Sequence, residues 1–119
     1  MGETRPRELI EYQAPNGSIP YRDWFIRLIA KDSLTAVKIE KYLTRLQQGN
    51  FSNAKLLSGC EGVWELVIDF GPRWRVYFAQ AGTKFILLLL GGSKKNQQKD
   101  IKTSVGYWRE FKKRNKEST

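Results

Sequence analysis

Val63-Trp64-Glu65-Leu66-Val67-Ile68-Asp69-Phe70-Gly71-Pro72-Arg73-Trp74-Arg75-Val76-Tyr77-Phe78-Ala79-Gln80 is the stretch that decides the fold. Apolar residues alternate on both sides of Gly71-Pro72-Arg73: Trp64, Leu66, Ile68 and Phe70 before it, and Trp74, Val76 and Phe78 after it. Alternation at period two marks a strand with one buried face, and glycine with proline between two such runs marks a hairpin. Both apolar faces must point inward, so the strands pair in an even register. With Gly71-Pro72-Arg73 as a three-residue loop, Phe70 pairs with Trp74 and Ile68 with Val76. The other face then sets Asp69 against Arg75, Val67 against Tyr77 and Glu65 against Ala79. Glu65 lies diagonal to Tyr77, about 7–8 Å away between backbones.

Outward from the hairpin, Phe85 to Leu90 is apolar throughout and reads as a third, fully buried strand. Upstream, Arg7 to Tyr12 forms a short first strand, and Ala14-Pro15-Asn16-Gly17-Ser18 breaks it. Ser18 is the expected N-cap of a helix that carries Pro20 near its first position and Tyr21, Trp24, Phe25 and Leu28 on one face. A second helix starts near Asp32 or Ser33, with Ala36, Ile39, Leu43 and Leu46 at helical spacing, and Gly49 ends it. Asn50 to Gly62 reads as a polar connection. The last helix, about Asn96 to Arg114, carries Ile101, Val105, Trp108 and Phe111 on one stripe. The order β-α-α-β-β-β-α predicts an α+β fold: an antiparallel β-sheet meander with two N-terminal helices packed on one face and a C-terminal helix. Residues 1–119 read as one domain, with 1–6 and 115–119 as flexible ends.

Lys plus Arg is 21 against 12 Asp plus Glu, a net charge of +9 on 119 residues. Such an excess attracts polyanions, with nucleic acid the leading partner and acidic protein surfaces second. A hydrophobic fraction of 40% and 13% aromatics are enough for a packed core. Histidine is absent, which removes the commonest general base and metal ligand, so no metal site and no cofactor are expected. Cys60 is the one cysteine, so no internal disulfide can form, and a reducing cytoplasm is the expected compartment. No histidine stands ready to activate it as a nucleophile. The N-terminal residues lack the apolar core of a secretion signal, and Phe85 to Leu90 falls far short of the ~20 residues that span a bilayer, so no membrane partner is expected.

The hairpin gathers a carboxylate, an arginine and a tyrosine on one sheet face, and Gly91-Gly92-Ser93-Lys94-Lys95 leaves the next strand beside them. That set suits metal-free RNA scission, in which the substrate's own 2′-OH is the nucleophile. The reaction needs a base for that hydroxyl, cations for the pentacoordinate phosphate and an acid for the leaving 5′-oxygen. Glu65 is the candidate base, contributing ~10²–10⁴-fold. Arg75, with Arg73 from the loop, is the candidate phosphate stabiliser. Tyr77 or Lys94 is the candidate acid or a positioning group. The same residues also fit a plain cross-strand ion pair, Asp69 with Arg75, on a solvated face.

From Ser93 onward, nine Lys or Arg (94, 95, 99, 102, 109, 112, 113, 114 and 116) face Asp100, Glu110 and Glu117, a local excess of six positive charges. Lys95, Lys99 and Lys102, together with Arg73, are candidate RNA contacts that would add salt-dependent affinity. Basic residues also complement a helix C-terminus. The spacing of Trp108 and Phe111 fits core packing better than base stacking.

Several strings in this order resemble the phage-derived Gp49-like or HigB-like addiction-module killer branch of the RelE/ParE toxin superfamily, from about Leu9 to Phe111. They are Trp24-Phe25, Arg45-Leu46-Gln47-Gln48-Gly49-Asn50, Gly62-Val63-Trp64-Glu65-Leu66, Phe70 to Phe78, Leu88 to Gln97, and Asp100-Ile101. The resemblance implies a RelE-like fold and a toxin neutralised by a helix-turn-helix antitoxin protein. The implied activity is cleavage of mRNA on the ribosome. It places Glu65, Arg75, Tyr77 and Lys94 on the family's functional positions. Three residues depart from the pattern: Val67 replaces a usual arginine, Arg73 a usual glycine and Ser93 an aspartate. Two other functions stand beside cleavage. One is non-enzymatic binding of DNA gyrase, as the resemblance to the ParE branch implies. The other is an RNA-binding relative with weakened catalysis, for which Val67 is the sign.

Overall fold

The computed structural model describes residues 6–69, 71 and 73–117. Strand β1 (Glu8–Glu11) leads to helices α1 (Pro20–Lys31) and α2 (Ser33–Gln47). Strands β2 (Ala54–Leu56), β3 (Val63–Ile68), β4 (Trp74–Ala81) and β5 (Phe85–Ser93) follow. A 3-10 turn (Lys94–Asn96) then runs into helix α3 (Gln97–Glu117), which continues three residues past the expected Arg114.

Local chemistry sets the helix ends. Pro20 occupies the first position of α1, so the cap falls on Ile19, without a side-chain bond. Ser18, the expected cap, is instead held by Asn16, whose Oδ1 accepts from the Ser18 amide at 3.0 Å and hydroxyl at 2.9 Å. Asp32 caps α2, accepting from the Thr35 amide at 3.1 Å and hydroxyl at 2.6 Å. Those bonds hold the Asp32 carboxyl below its usual range. At the other end Gly49 takes φ +92°. Its amide donates to Leu46 at 3.0 Å and that of Asn50 to Arg45 at 2.9 Å, a Schellman closure that only a left-handed residue permits cheaply.

The sheet has the order β1-β5-β4-β3-β2. β3, β4 and β5 form the expected antiparallel meander, but β1 adds to β5 in parallel, so the sheet is mixed. β2, inside what reads as a polar connection, pairs antiparallel with β3 at the other edge.

The hairpin register differs by two residues from the expected one. Ile68 pairs with Trp74, Leu66 with Val76, Val67 with Arg75 and Glu65 directly with Tyr77. Phe70, the expected partner of Trp74, lies outside the described residues. Alternation fixes only the parity of the register, and both pairings bring the apolar faces together. In the observed register the ladder closes at Ile68 and Trp74, which widens the connection by two residues, and Gly71 and Arg73 within it both take φ +60°.

Helices cover both faces of the sheet. Trp24 and Leu28 of α1 and Ile39, Leu43 and Leu46 of α2 pack on Leu66, Ile68, Val76, Phe78, Ile86 and Leu88. On the opposite face Trp108 of α3, flanked by Ile101, Val105 and Phe111, packs on Val63, Tyr77, Ala79, Leu87 and Leu89. The unbroken apolar run of β5 reflects its burial on both sides. A bulge in β5 places one extra residue between the partners of Tyr77 (Leu90) and Phe78 (Leu88), which reverses the facing of the strand beyond it. Gly91 then faces Trp24 of α1 and Gly92 faces Asp100 of α3.

The C-terminal half of α3 is firmly anchored. Trp108 Nε1 donates to the Glu61 carbonyl at 2.9 Å, and the Tyr12 hydroxyl donates to Glu110 at 2.6 Å. Tyr12 stacks on Tyr107 with centroids 4.9 Å apart, and Arg114 donates to the Gln13 carbonyl at 2.7 Å.

Candidate active site

The register sets Glu65 beside Tyr77 and places Arg75 two residues away on the same strand face, beneath the start of α3. All three are buried: Glu65 is 1%, Arg75 6% and Tyr77 0% exposed. Glu65 Oε2 accepts from Gln97 Nε2 at 2.6 Å and lies 3.5 Å from Arg75 Nε. The second contact is an ion pair too long for a good hydrogen bond. Arg75 Nη1 donates to the Arg73 carbonyl at 2.8 Å, so the turn orients the guanidinium. The expected partner, Asp69, is exposed and lies beyond the end of β3; the ion pair of Arg75 is with Glu65. Val67 faces Arg75 across the ladder and adds no charge.

The set is electrostatically crowded. The Tyr77 hydroxyl is buried without a hydrogen-bond partner of good geometry. Burial, then the nearby charges of Glu65 and Asp100, push its pKa far above that of an ordinary tyrosine, against a smaller lowering by Arg75. It therefore stays a protonated donor. Burial also raises the Asp100 carboxyl, with Lys99 opposing the shift.

Glu65, Arg75 and Tyr77 come together, and the other candidates do not enter the buried set. Lys94 and Lys95 are exposed in the 3-10 turn that follows β5, and Lys99 and Lys102 are exposed on α3. Arg73 is exposed in the hairpin turn. Of the basic residues farther along α3, Arg109 pairs with Glu61, Lys112 lies 5.0 Å from the Trp108 ring centre, and Arg114 pairs with Glu110 at 3.0 Å. The Arg109 pair ties the helix to the segment before β3, and the other two contacts lie within α3. Trp108 and Phe111 stack on one another within the core, as their spacing predicts.

Two members of the site have no role in the sequence reading, Gln97 and Asp100. The signal for Gln97 is its place on the stripe Gln97, Ile101, Val105 and Trp108, which turns it toward the sheet. Among the described residues no three His, Cys, Asp or Glu side chains come together to hold a metal ion. Among them, too, no helix is long and apolar enough to cross a membrane.

No family model matches the sequence. A protein of Haemophilus influenzae, described as uncharacterized, is 36% identical over 85 residues, which span 71% of this chain and 82% of that protein. The chain belongs to the same family as that protein. The shared family fixes ancestry over most of the chain, and the chemistry must be argued from the side chains themselves.

Proposed function

We propose that this chain is a RelE/ParE-type toxin that cleaves mRNA on the ribosome without a metal and is neutralised by a helix-turn-helix antitoxin. The observation that carries the reading is the contiguity of Glu65, Arg75 and Tyr77 on one sheet face, bordered by the exposed Lys94, Lys95, Lys99 and Lys102. In the reaction Glu65 takes the proton of the 2′-OH, and the 2′-oxygen attacks the adjacent phosphorus. Arg75 stabilises the extra negative charge. The P–O5′ bond breaks and the 5′-oxygen takes a proton from Tyr77 or Lys94, leaving a 2′,3′-cyclic phosphate and a 5′-hydroxyl.

Substrate reaches these groups only when the Gln97 side chain turns aside, since Gln97 and Arg75 both hold Glu65. A hydrogen bond to a charged group contributes about 1.5–3 kcal/mol, which phosphate contacts from the surrounding lysines can offset.

The burial of Glu65 and Arg75 favours a second reading, in which the chain acts by binding alone and the ion pair is structural. Mapping mRNA 5′ ends just after induction separates the two. A translated reporter is compared with the same transcript lacking its start codon. Cuts confined to the translated transcript are expected. Growth arrest without new ends in either transcript would move the assignment to a binding toxin, with gyrase the first target to assay.

A further inference from the structure

A cleft of about 370 Å³ lies between α1 and the start of α3, at the end of the sheet that β1 does not reach. β1 pairs with β5 only as far as Leu88, so among the described residues the outer edge of β5 along Leu90 to Ser93 has no neighbouring strand. The floor is bare backbone because Gly91 and Gly92 let the walls close in. A Cβ on Gly91 would fall 2.2 Å from the Trp24 ring, and one on Gly92 2.0 Å from an Asp100 carboxylate oxygen.

The cleft carries four kinds of chemistry. Trp24 and Trp74 meet edge to face with centroids 6.0 Å apart and form an aromatic wall. Trp74 has a buried Nε1–H without an acceptor. Asp100 supplies a carboxylate from the α3 side. Arg27 and Lys31, one turn apart on α1, are both exposed, and among the described residues neither is ion-paired. A simple anion is a poor fit, because Asp100 repels it. A hydrocarbon is a poor fit, because the Asp100 carboxylate would lose water without gaining a partner. A nucleotide answers the accessible groups: a ring for the indole, an amino group for the carboxylate and a phosphate for the two cations.

We propose that this cleft binds one nucleotide of single-stranded RNA. Its base lies against Trp74 with an exocyclic amino group donated to Asp100, and its phosphate lies on Arg27 and Lys31. The inference rests on the reading of the chain as RNA-directed and deepens it. Gly92, at the floor, is the ladder partner of Arg75, so the cleft holds a neighbour of the nucleotide presented to Glu65. Among the pyrimidines the site selects cytosine over uracil, since an ionised carboxylate only accepts and uracil carries oxygen in place of the amino group.

The test is fluorescence anisotropy of labelled hexacytidylate and hexauridylate with the purified full chain at low salt. Hexacytidylate is expected to bind about tenfold tighter. Asp100→Asn, whose amide can donate to the uracil oxygen, is expected to abolish or invert that ratio. Arg27→Ala with Lys31→Ala is expected to weaken both ligands and to lower the salt slope by about one to two. Circular dichroism and melting confirm that each variant is folded, and Asn96→Ala serves as a second variant at the mouth. Equal affinity for the two oligomers, or a ratio unchanged in Asp100→Asn, overturns the proposal, as does binding indifferent to the loss of Arg27 and Lys31. Binding here needs neither ribosome nor cleavage, so a chain that binds with this selectivity but never cuts mRNA would refute the nuclease reading and leave the cleft assigned.

Discussion

Replacing Arg75 by Met removes the cation beside a carboxylate that is 1% exposed, while keeping a side chain of similar length to fill the space. The Glu65 charge is then held in the interior by Gln97 alone, with its nearest countercharge at 3.5 Å gone. Removing one partner of a buried ion pair costs about 3–5 kcal/mol. Against a total stability of about 5–15 kcal/mol for a domain, that is a large fraction, equivalent to a fall in Tm of roughly 12–20 °C at this size. Changing both partners, Glu65→Met with Arg75→Met, removes the stranded charge. It is expected to return stability to within about 1 kcal/mol of the parent or above it. Gln97, half-buried, then turns its amide to water. Urea denaturation of the parent, both single variants and the double variant closes the cycle. A loss below about 1 kcal/mol in Arg75→Met would show that water reaches Glu65. A double variant as unstable as the sum of the singles would show that the two groups are not coupled.

Three further outcomes follow from particular contacts. Arg73→Gly relieves a non-glycine residue at φ +60° and is expected to stabilise the fold by about 0.5–1 kcal/mol net of the extra chain entropy, read as a higher urea midpoint at unchanged m. Gln97→Ala removes the bond that covers Glu65, so amides of residues 94–98 are expected to exchange faster with solvent and mRNA cutting to increase; unchanged exchange would mean that Gln97 does not hold the turn. Arg109 holds the Glu61 carboxyl below its usual range, so this pair stabilises the fold above the ordinary glutamate pKa and loses that effect as pH falls through the depressed value. Arg109→Met is accordingly expected to flatten the fall in Tm below about pH 4.5, and a parallel fall in both proteins would remove the pair from the acid response.

The sequence makes the helices legible because their signals are local: Pro20 at the start of α1, the Asp32 cap of α2, Gly49 at its end and the Ile101-Val105-Trp108 stripe of α3. The meander of β3, β4 and β5 is legible through period-two alternation. What escapes is long-range. The pairing of β1 beside β5 joins segments some 77 residues apart, and nothing within Glu8–Glu11 states its partner. β2 has three residues, among them exposed Lys55 and Leu56, too few to show alternation. The hairpin register escapes by two residues because the alternation of side chains fixes its parity and not the length of the connection. For the site, Glu65, Arg75 and Tyr77 are legible as a group, since every even register puts them on one face. Their burial is not, because it depends on α3 crossing to the face opposite α1 and α2. The run Ile86-Leu87-Leu88-Leu89 carries that information, being apolar on both sides of the strand.

The most direct test of the account is single-turnover cleavage of ribosome-bound mRNA by the purified chain and by Glu65→Gln, which keeps the shape of the side chain and removes its basicity. A fall of about 10²–10⁴-fold in the rate, with ribosome binding unchanged and 2′,3′-cyclic phosphate ends on the residual product, is the predicted result. Equal rates for the two proteins would contradict Glu65 as the base, and no cleavage by either would contradict the nuclease itself.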